Sequence, residues 1–207
     1  MLSIKDIKLD VVKGCNIYKN GSWCVNIKLA SNFYNNLKYT DEVINIVNNY
    51  NNVDHVIIDG SEPFEQDHKA LFSCIYGIVE SGNNVTIHTN GKHFIREFKE
   101  NFNKYKHKND KCCDVSFVFN IKPIVDENFC NNLMFLSCND IINIEISNID
   151  DFVTATLMIY LIRSKAEFVN IYFTAVGYDD LLKNMKDNEV IQENKVMFRI
   201  NKNEENK

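Results

Sequence analysis

The chain has 207 residues, 45% of them hydrophobic, which is enough to form a full hydrophobic core. Its net charge of -5 argues against a protein that binds nucleic acid through the phosphate backbone, because such proteins carry a basic face. No apolar run is long enough to cross a bilayer, and the start, MLSIKDIKLD, lacks the apolar core of a secretory signal. We therefore expect a cytoplasmic protein that does not enter a membrane and whose seven cysteines are reduced thiols.

Strand-like and helix-like patterns alternate along the chain. The first two strands flank Lys19–Ser22, a turn signal that is typical of a β-hairpin. The predicted strands are Ile4–Val12, Trp23–Leu29, Val53–Ile58, Asn84–His88, Val115–Phe119, Ile141–Ile146, Phe168–Phe173 and Lys195–Ile200. The predicted helices are Tyr39–Tyr50, His68–Gly82, His93–Tyr105, Asp126–Phe135, Ile149–Arg163 and Tyr178–Met185.

This alternation predicts an α/β fold with a parallel sheet and helices on its outer face, because strands separated by helices form βαβ units. The number of units is too small for a closed eight-stranded barrel, so we expect a partial (open) TIM-like barrel. We expect one domain over residues 1–200 and a polar C-terminal tail over residues 201–207.

Three of the predicted strands end in turns that carry polar side chains. The first turn is Gly60-Ser61-Glu62-Pro63, the second is Thr89-Asn90-Gly91, and the third is Asn120-Ile121-Lys122-Pro123. Each can be a plain connection in which glycine and proline shape the backbone. Each can also form part of a ligand site, since α/β folds bind ligands at the carboxyl ends of parallel strands.

Taken in this order and at this spacing, the three turns resemble those of the radical S-adenosylmethionine (SAM) superfamily, specifically the 7-carboxy-7-deazaguanine synthase family of the queuosine pathway. That family has Gly-Gly-Glu-Pro, Glu-Thr-Asn-Gly and Ser-Pro-Lys at the corresponding strand ends. Lys13–Asn16 resembles its Gln-Gly-Glu-Gly hairpin, and Lys28–Asn32 resembles its Arg-Leu-Ala-Gly-Cys-Asn segment. Met197–Ile200 resembles its closing strand. The resemblance spans essentially the whole chain and implies a partial barrel of radical-SAM type.

The chain departs from this family at the iron-sulfur centre. Members hold a 4Fe-4S cluster with three cysteines in a CxxxCxxC run after the second strand, because the iron-sulfur core needs thiolate ligands. The corresponding positions here are Asn32, Asn36 and Tyr39. The seven cysteines lie elsewhere and form no such run. We therefore expect no 4Fe-4S cluster and no metal site.

The resemblance also assigns candidate SAM-binding residues. It implies that Glu62 accepts from the ammonium group of the methionine moiety, although an acid at this position can equally serve as a helix-terminal residue favoured by the macrodipole. The resemblance implies that Thr89 and Asn90 contact a ribose or adenine. The alternative is that both are capping residues that bind no ligand. The remaining candidates are Gly60, Ser61 and Lys122, and Lys122 can also be a surface lysine.

Other positions of the family pattern are altered. Cys15 stands where the hairpin has a glutamate, Lys28 replaces an arginine, and His88 replaces the glutamate of Glu-Thr-Asn-Gly. Lysine cannot reproduce the planar, bidentate contacts of arginine. Cys15 and Cys24 can approach each other across the hairpin, but two thiols supply at most half of a structural zinc site.

These observations predict a non-catalytic relative of the 7-carboxy-7-deazaguanine synthase family, acting by binding a protein partner, a second copy of itself or a small nucleotide-like ligand. SAM is the one cofactor that the resemblance leaves open. One alternative is an active queuosine-pathway radical SAM enzyme, a lyase whose cluster is held by other cysteines. Another is a structural or inhibitory protein that acts through its outer surface.

Overall fold

The computed structural model describes residues 1–12, 21–31, 36–109, 113–176 and 188–201. Within these ranges the chain is a mixed α/β fold with a mostly parallel sheet. The strands are β1 Leu2–Val11, β2 Trp23–Leu29, β3 Leu37–Lys38, β4 His55–Gly60, β5 Asn84–Thr89, β6 Val115–Ile121, β7 Ile141–Ile146, β8 Asn170–Val176 and β9 Met197–Asn201. The helices are α1 Thr40–Asn48, α2 His68–Glu80, α3 Arg96–Asn109, α4 Glu127–Asn132, α5 Ile149–Lys165 and α6 Glu189–Glu193.

The strands are hydrogen-bonded in the order β3-β1-β2-β4-β5-β6-β7-β8-β9. The order begins and ends on different strands, so the sheet is open. The β1–β2 and β1–β3 pairs are antiparallel, whereas β2–β4, β4–β5, β7–β8 and β8–β9 are parallel. An α/β fold with an open, mostly parallel sheet is therefore confirmed.

Every strand predicted from the sequence forms, as does every predicted helix that falls within the described residues. The short β3 and α6 were not predicted, since neither is long enough to show a hydrophobic period. The predicted helix Tyr178–Met185 lies outside the described residues, as do the turn residues Lys19 and Asn20 and all of the predicted tail except Asn201.

The chain divides into two compact units. The first comprises Met1–Asn90 and Ile95–Val118, and the second comprises Gly91–Phe94 and Phe119–Lys207.

An aromatic core lies in the first unit. The ring of Phe64 stacks on Phe117 with centroids 6.2 Å apart, and Phe98 meets Phe117 edge-on at 5.7 Å. Asp67 begins α2 because its carboxylate accepts from the Ala70 backbone N–H at 2.7 Å. Phe64 directly follows the Ser61–Pro63 turn, so burial of its ring anchors that turn.

The second unit is held together by buried side chains around β7 and β8. Phe173 on β8 packs edge-on against Phe152 of α5 and against Phe198 of β9. Asn132 is fully buried, and its amide donates to the carbonyls of Gly91 and His93 at 3.1 and 2.8 Å. These hydrogen bonds fix the segment that follows β5.

No helix within the described ranges is both long enough and apolar enough to span a bilayer.

Candidate functional site

The strand β4 ends in a tight turn that only glycine can make. Gly60 has φ +100°, and a Cβ atom at this position would lie 2.4 Å from the Leu29 carbonyl oxygen of β2. The next residue, Ser61, donates its backbone N–H to the same oxygen at 3.1 Å. The turn therefore lies directly against the end of β2, and a side chain at residue 60 would separate them.

Glu62 links this turn to the end of the neighbouring strand, β5. One carboxylate oxygen accepts from the Thr89 hydroxyl at 2.8 Å and from the Phe64 backbone N–H at 3.3 Å. The other oxygen accepts from the Asn90 backbone N–H at 2.8 Å. The structure thus brings together three of the predicted site residues, and we call Glu62, Thr89 and Asn90 the Glu62 cluster.

These hydrogen bonds occupy much of the accepting capacity of Glu62. A carboxylate offers about four acceptor sites, and described residues occupy three of those of Glu62. Among the described residues, one acceptor site is left for an external donor such as an ammonium group. The Glu62 carboxylate is also the N-cap of the 3₁₀ turn Pro63–Glu65, so the capping role and the ligand-binding role are compatible.

An open, polar cleft of about 420 Å³ lies beside the turn in the first unit. We call it the Lys28 cleft. It is lined by Lys5, Lys28, Leu29, Ala30, Ser31, Asp59, Gly60 and Ser61. Gly60 and Ser61 are predicted site residues, so the structure brings part of the predicted site to a cavity.

The two lysines reach this cleft from adjacent strands. Lys28 is half-buried and pairs in register with Asp59 of β4. Lys5 is the extra residue of a β-bulge, because its neighbours Ile4 and Asp6 pair with the consecutive β2 residues Leu29 and Lys28. Bulges commonly re-aim a side chain in this way. With two ammonium groups and one carboxylate, the cleft suits a small anion or a zwitterion.

Asp59 also faces the imidazole that replaces the glutamate of the resembled family. The Asp59 carboxylate lies 3.9 Å from Nδ1 of His88 and accepts from the Gly60 backbone N–H at 2.7 Å. Both side chains are only partly exposed, at 41% for Asp59 and 27% for His88.

Lys122 belongs to the second unit, where it follows β6. Its side chain is exposed, and its carbonyl accepts from the Ile124 backbone N–H at 2.7 Å. The Asn120 side-chain carbonyl in the same turn accepts from the Asn143 amide of β7 at 3.0 Å. The turn is thus stabilised by contacts within its own unit.

The positions that hold the cluster in the resembled family do not fit an iron-sulfur core here. Asn36 is exposed, and its carbonyl accepts from the Ile4 backbone N–H at 3.0 Å. Tyr39 is 65% exposed and precedes α1, so its ring does not fill a pocket. Neither side chain supplies a thiolate. Asn32 lies outside the described residues, as do Cys15 and the rest of 13–16.

Two of the described cysteines, Cys24 and Cys74, have buried thiols. Burial raises the pKa of Cys24 to about 11, with a smaller contribution from Asp10, and burial raises the pKa of Cys74 to about 12. Across the described ranges, no three His, Cys, Asp or Glu side chains lie close enough to share a metal ion.

Sequence reasoning missed Lys5 and Asp59 as cleft residues. Two adjacent polar residues, Lys5 and Asp6, interrupt the alternation between Ile4 and Ile7, and this break is the sequence signal of the bulge. Asp59 precedes the glycine of a strand-end turn, which is a position from which α/β proteins often present polar groups.

Comparison of the chain with models of known protein families, and with curated protein sequences, gave no match.

Proposed function

We propose that this protein is a non-catalytic relative of the 7-carboxy-7-deazaguanine synthase family of radical SAM proteins. In this proposal the Lys28 cleft binds a small, negatively charged, nucleotide-like ligand. The partial barrel of radical-SAM type is part of the same proposal. The observation that carries it is the combination of a polar cleft at the Gly60–Ser61 turn with an amide and a phenol at the cluster positions Asn36 and Tyr39.

The charges of the cleft support an anionic ligand. Lys5 and Lys28 supply two ammonium groups at one end of the sheet, and Asp59 supplies a single opposing carboxylate. Asp59 also suits a ribose hydroxyl, since a carboxylate accepts hydrogen bonds from hydroxyl groups. SAM and S-adenosylhomocysteine carry an ammonium group and no net negative charge. They are tested beside simple nucleotides because Glu62, which does not line the cleft, keeps one acceptor site among the described residues.

Isothermal titration calorimetry tests the proposal with SAM, S-adenosylhomocysteine, adenosine monophosphate and guanosine monophosphate as probes. We expect heat with at least one probe, and we expect Lys28→Ala to weaken that binding about 10- to 100-fold, the effect of losing a hydrogen bond to a charged group. Lys69→Ala is the matched control, because Lys69 is an exposed lysine on α2 that does not line the cleft.

A second variant, Glu62→Gln, tests whether the methionine moiety of SAM contributes to binding. Glu62→Gln should then weaken SAM binding and leave binding of the nucleoside monophosphates unchanged. A folded protein that gives no heat with any of the four probes would contradict ligand binding in the cleft.

A second candidate function is interaction through the outer surface. It is favoured by a row of exposed apolar side chains on α5, formed by Ile149, Val153, Leu157 and Tyr160.

A further inference from the structure

The side chain of Asn26, on β2, has a carboxamide oxygen without a hydrogen-bond partner among the described residues. Asn26 is 8% exposed, and its Oδ1 atom is buried. Proteins rarely leave a buried acceptor in this state, because the atom loses its hydrogen bonds to water and gains none in return. The oxygen of Asn26 therefore indicates a donor that is not part of the described chain.

Asn26 lies next to the Lys28 cleft on the same face of the sheet. Side chains of a strand alternate between its two faces, so Asn26 and Lys28 lie on one side, about 7 Å apart along β2. The parallel register sets Lys28 beside Asp59, which lines the cleft, and sets Asn26 beside Ile57, which is 6% exposed. Asn26 is thus one position further in than the residues that line the cleft.

The neighbours of Asn26 on this face do not supply the donor. The side chain of Ile57 has none, and the thiol of Cys24 donates to the Asp10 carbonyl at 3.5 Å. Lys8 pairs in register with Asn26 on the β1 side, but Lys8 is exposed. Burying its ammonium group against Asn26 would remove that charge from water. We therefore expect the donor to come from the side of the cleft.

We propose that Asn26 Oδ1 accepts a hydrogen bond from an amino group of the ligand in the Lys28 cleft and so determines which nucleotide binds. This role of Asn26 rests on the proposed function, because it adds a contact to a ligand that the cleft lysines hold by its negative charge. A nucleotide fits both contacts, since its phosphate carries the charge and the amino group of its base lies at the far end of the molecule. Lys28 then supplies affinity for many anions, whereas Asn26 supplies selection among them.

Isothermal titration calorimetry with two pairs of nucleotides tests this selection. Guanosine and inosine monophosphate differ only in the 2-amino group, and adenosine and purine riboside monophosphate differ only in the 6-amino group. We expect the amino member of at least one pair to bind about 3- to 10-fold more tightly than the other, the effect of one hydrogen bond. Equal dissociation constants within both pairs would overturn the proposal and assign the Asn26 oxygen to a buried water molecule, while ligand binding in the cleft would stand.

Asn26→Leu removes the acceptor and keeps the approximate size of the side chain. We expect this variant to bind both members of a pair alike, because the amino group no longer meets a partner. Lys28→Ala should instead weaken both members by a similar factor and preserve their ratio. A preference that survives in Asn26→Leu would overturn the role of Asn26. Absence of heat with every nucleotide in the unaltered protein would contradict the proposed function itself, and the role of Asn26 with it.

The stability of the protein without ligand distinguishes a ligand contact from a structural one. Gln66 is the matched control, a buried amide in the same unit that accepts from the Ser3 backbone N–H and donates to the Ala30 carbonyl, both at 2.9 Å. Urea unfolding followed by the fluorescence of Trp23 should show a lower midpoint for Gln66→Met and an unchanged or higher midpoint for Asn26→Leu. A midpoint that falls as far for Asn26→Leu as for Gln66→Met would show that Asn26 has a structural partner and would overturn the proposal.

Discussion

Replacing Gly60 with alanine tests how closely the β4 turn approaches β2. Gly60 has φ +100°, and an added Cβ would lie 2.4 Å from the Leu29 carbonyl oxygen and 3.0 Å from its nitrogen. Both atoms belong to the backbone of a central strand, so they cannot rotate away as a flexible side chain could. Alanine at this position therefore has two separate costs, one from its backbone conformation and one from the steric clash.

The magnitude follows from adding these costs. An alanine held in a left-handed conformation costs on the order of 1–3 kcal/mol. Relieving the clash requires a backbone shift, which costs about 1–3 kcal/mol, and it lengthens the hydrogen bond from the Ser61 N–H to the Leu29 carbonyl. We expect Gly60→Ala to lower the free energy of unfolding by about 2–6 kcal/mol, a large part of the total stability of a typical domain.

The structure supplies a matched control in Gly82, which follows α2 in the same unit. Gly82 has a similar φ of +94°, but nothing lies within 4 Å of an added Cβ, so Gly82→Ala carries only the conformational cost. Urea unfolding followed by fluorescence of the single tryptophan, Trp23 on β2, reports on the unit that holds both glycines. Equal destabilisation by the two variants, or a larger effect of Gly82→Ala, would refute the close approach.

Three further predictions concern other groups of the fold. Glu62→Gln should lower the free energy of unfolding by about 1–3 kcal/mol, because one carboxylate acceptor becomes an N–H donor. Faster hydrogen exchange at the Asn90 amide would show this loss. Unchanged protection of that amide would contradict the prediction. Burial lowers the pKa of His55 from 6.5 to about 4, against a smaller opposing effect of Asp54. The unfolded chain therefore binds the proton more readily, and the free energy of unfolding should fall by about 3 kcal/mol as the pH drops from 6.5 to 4. His55→Gln should remove this part of the pH dependence. An identical pH profile for the variant would count against the role of His55. In the folded protein the exposed thiol of Cys138 should react readily with iodoacetamide, while Cys74, with its pKa raised to about 12 by burial, should not; equal alkylation rates measured by mass spectrometry would show that Cys74 is accessible.

The Glu62 cluster shows how much of the site could be predicted from the sequence. Gly60 before an acid and a proline indicated a tight strand-end turn, and Thr89-Asn90-Gly91 indicated a second one. Because the carboxyl ends of neighbouring parallel strands lie at the same edge of a sheet, residues of the two turns were expected near each other. The observed hydrogen bonds from Thr89 and Asn90 to Glu62 are consistent with that reasoning.

The cleft and the exposed apolar side of α5 could not be predicted in the same way. Lys5 reaches the cleft because of a bulge, and the position of a bulge depends on pairing with the partner strand as well as on the residues of the bulged strand. The α5 sequence is apolar on both sides, so its hydrophobic pattern does not indicate which side faces the core. Packing against β7 and β8 decides that Phe152 is buried and Leu157 is exposed.

In the proposed function, this chain carries no iron-sulfur cluster and catalyses no radical SAM chemistry. Anaerobic reconstitution of the purified protein with iron and sulfide, followed by iron analysis and an assay for 5′-deoxyadenosine, tests it most directly. We expect no stoichiometric iron and no SAM cleavage, because the three cluster positions are Asn32, Asn36 and Tyr39 and thiolates are needed to hold the core. Stoichiometric iron together with 5′-deoxyadenosine would contradict the claim and would favour an active enzyme whose cluster is held by other cysteines.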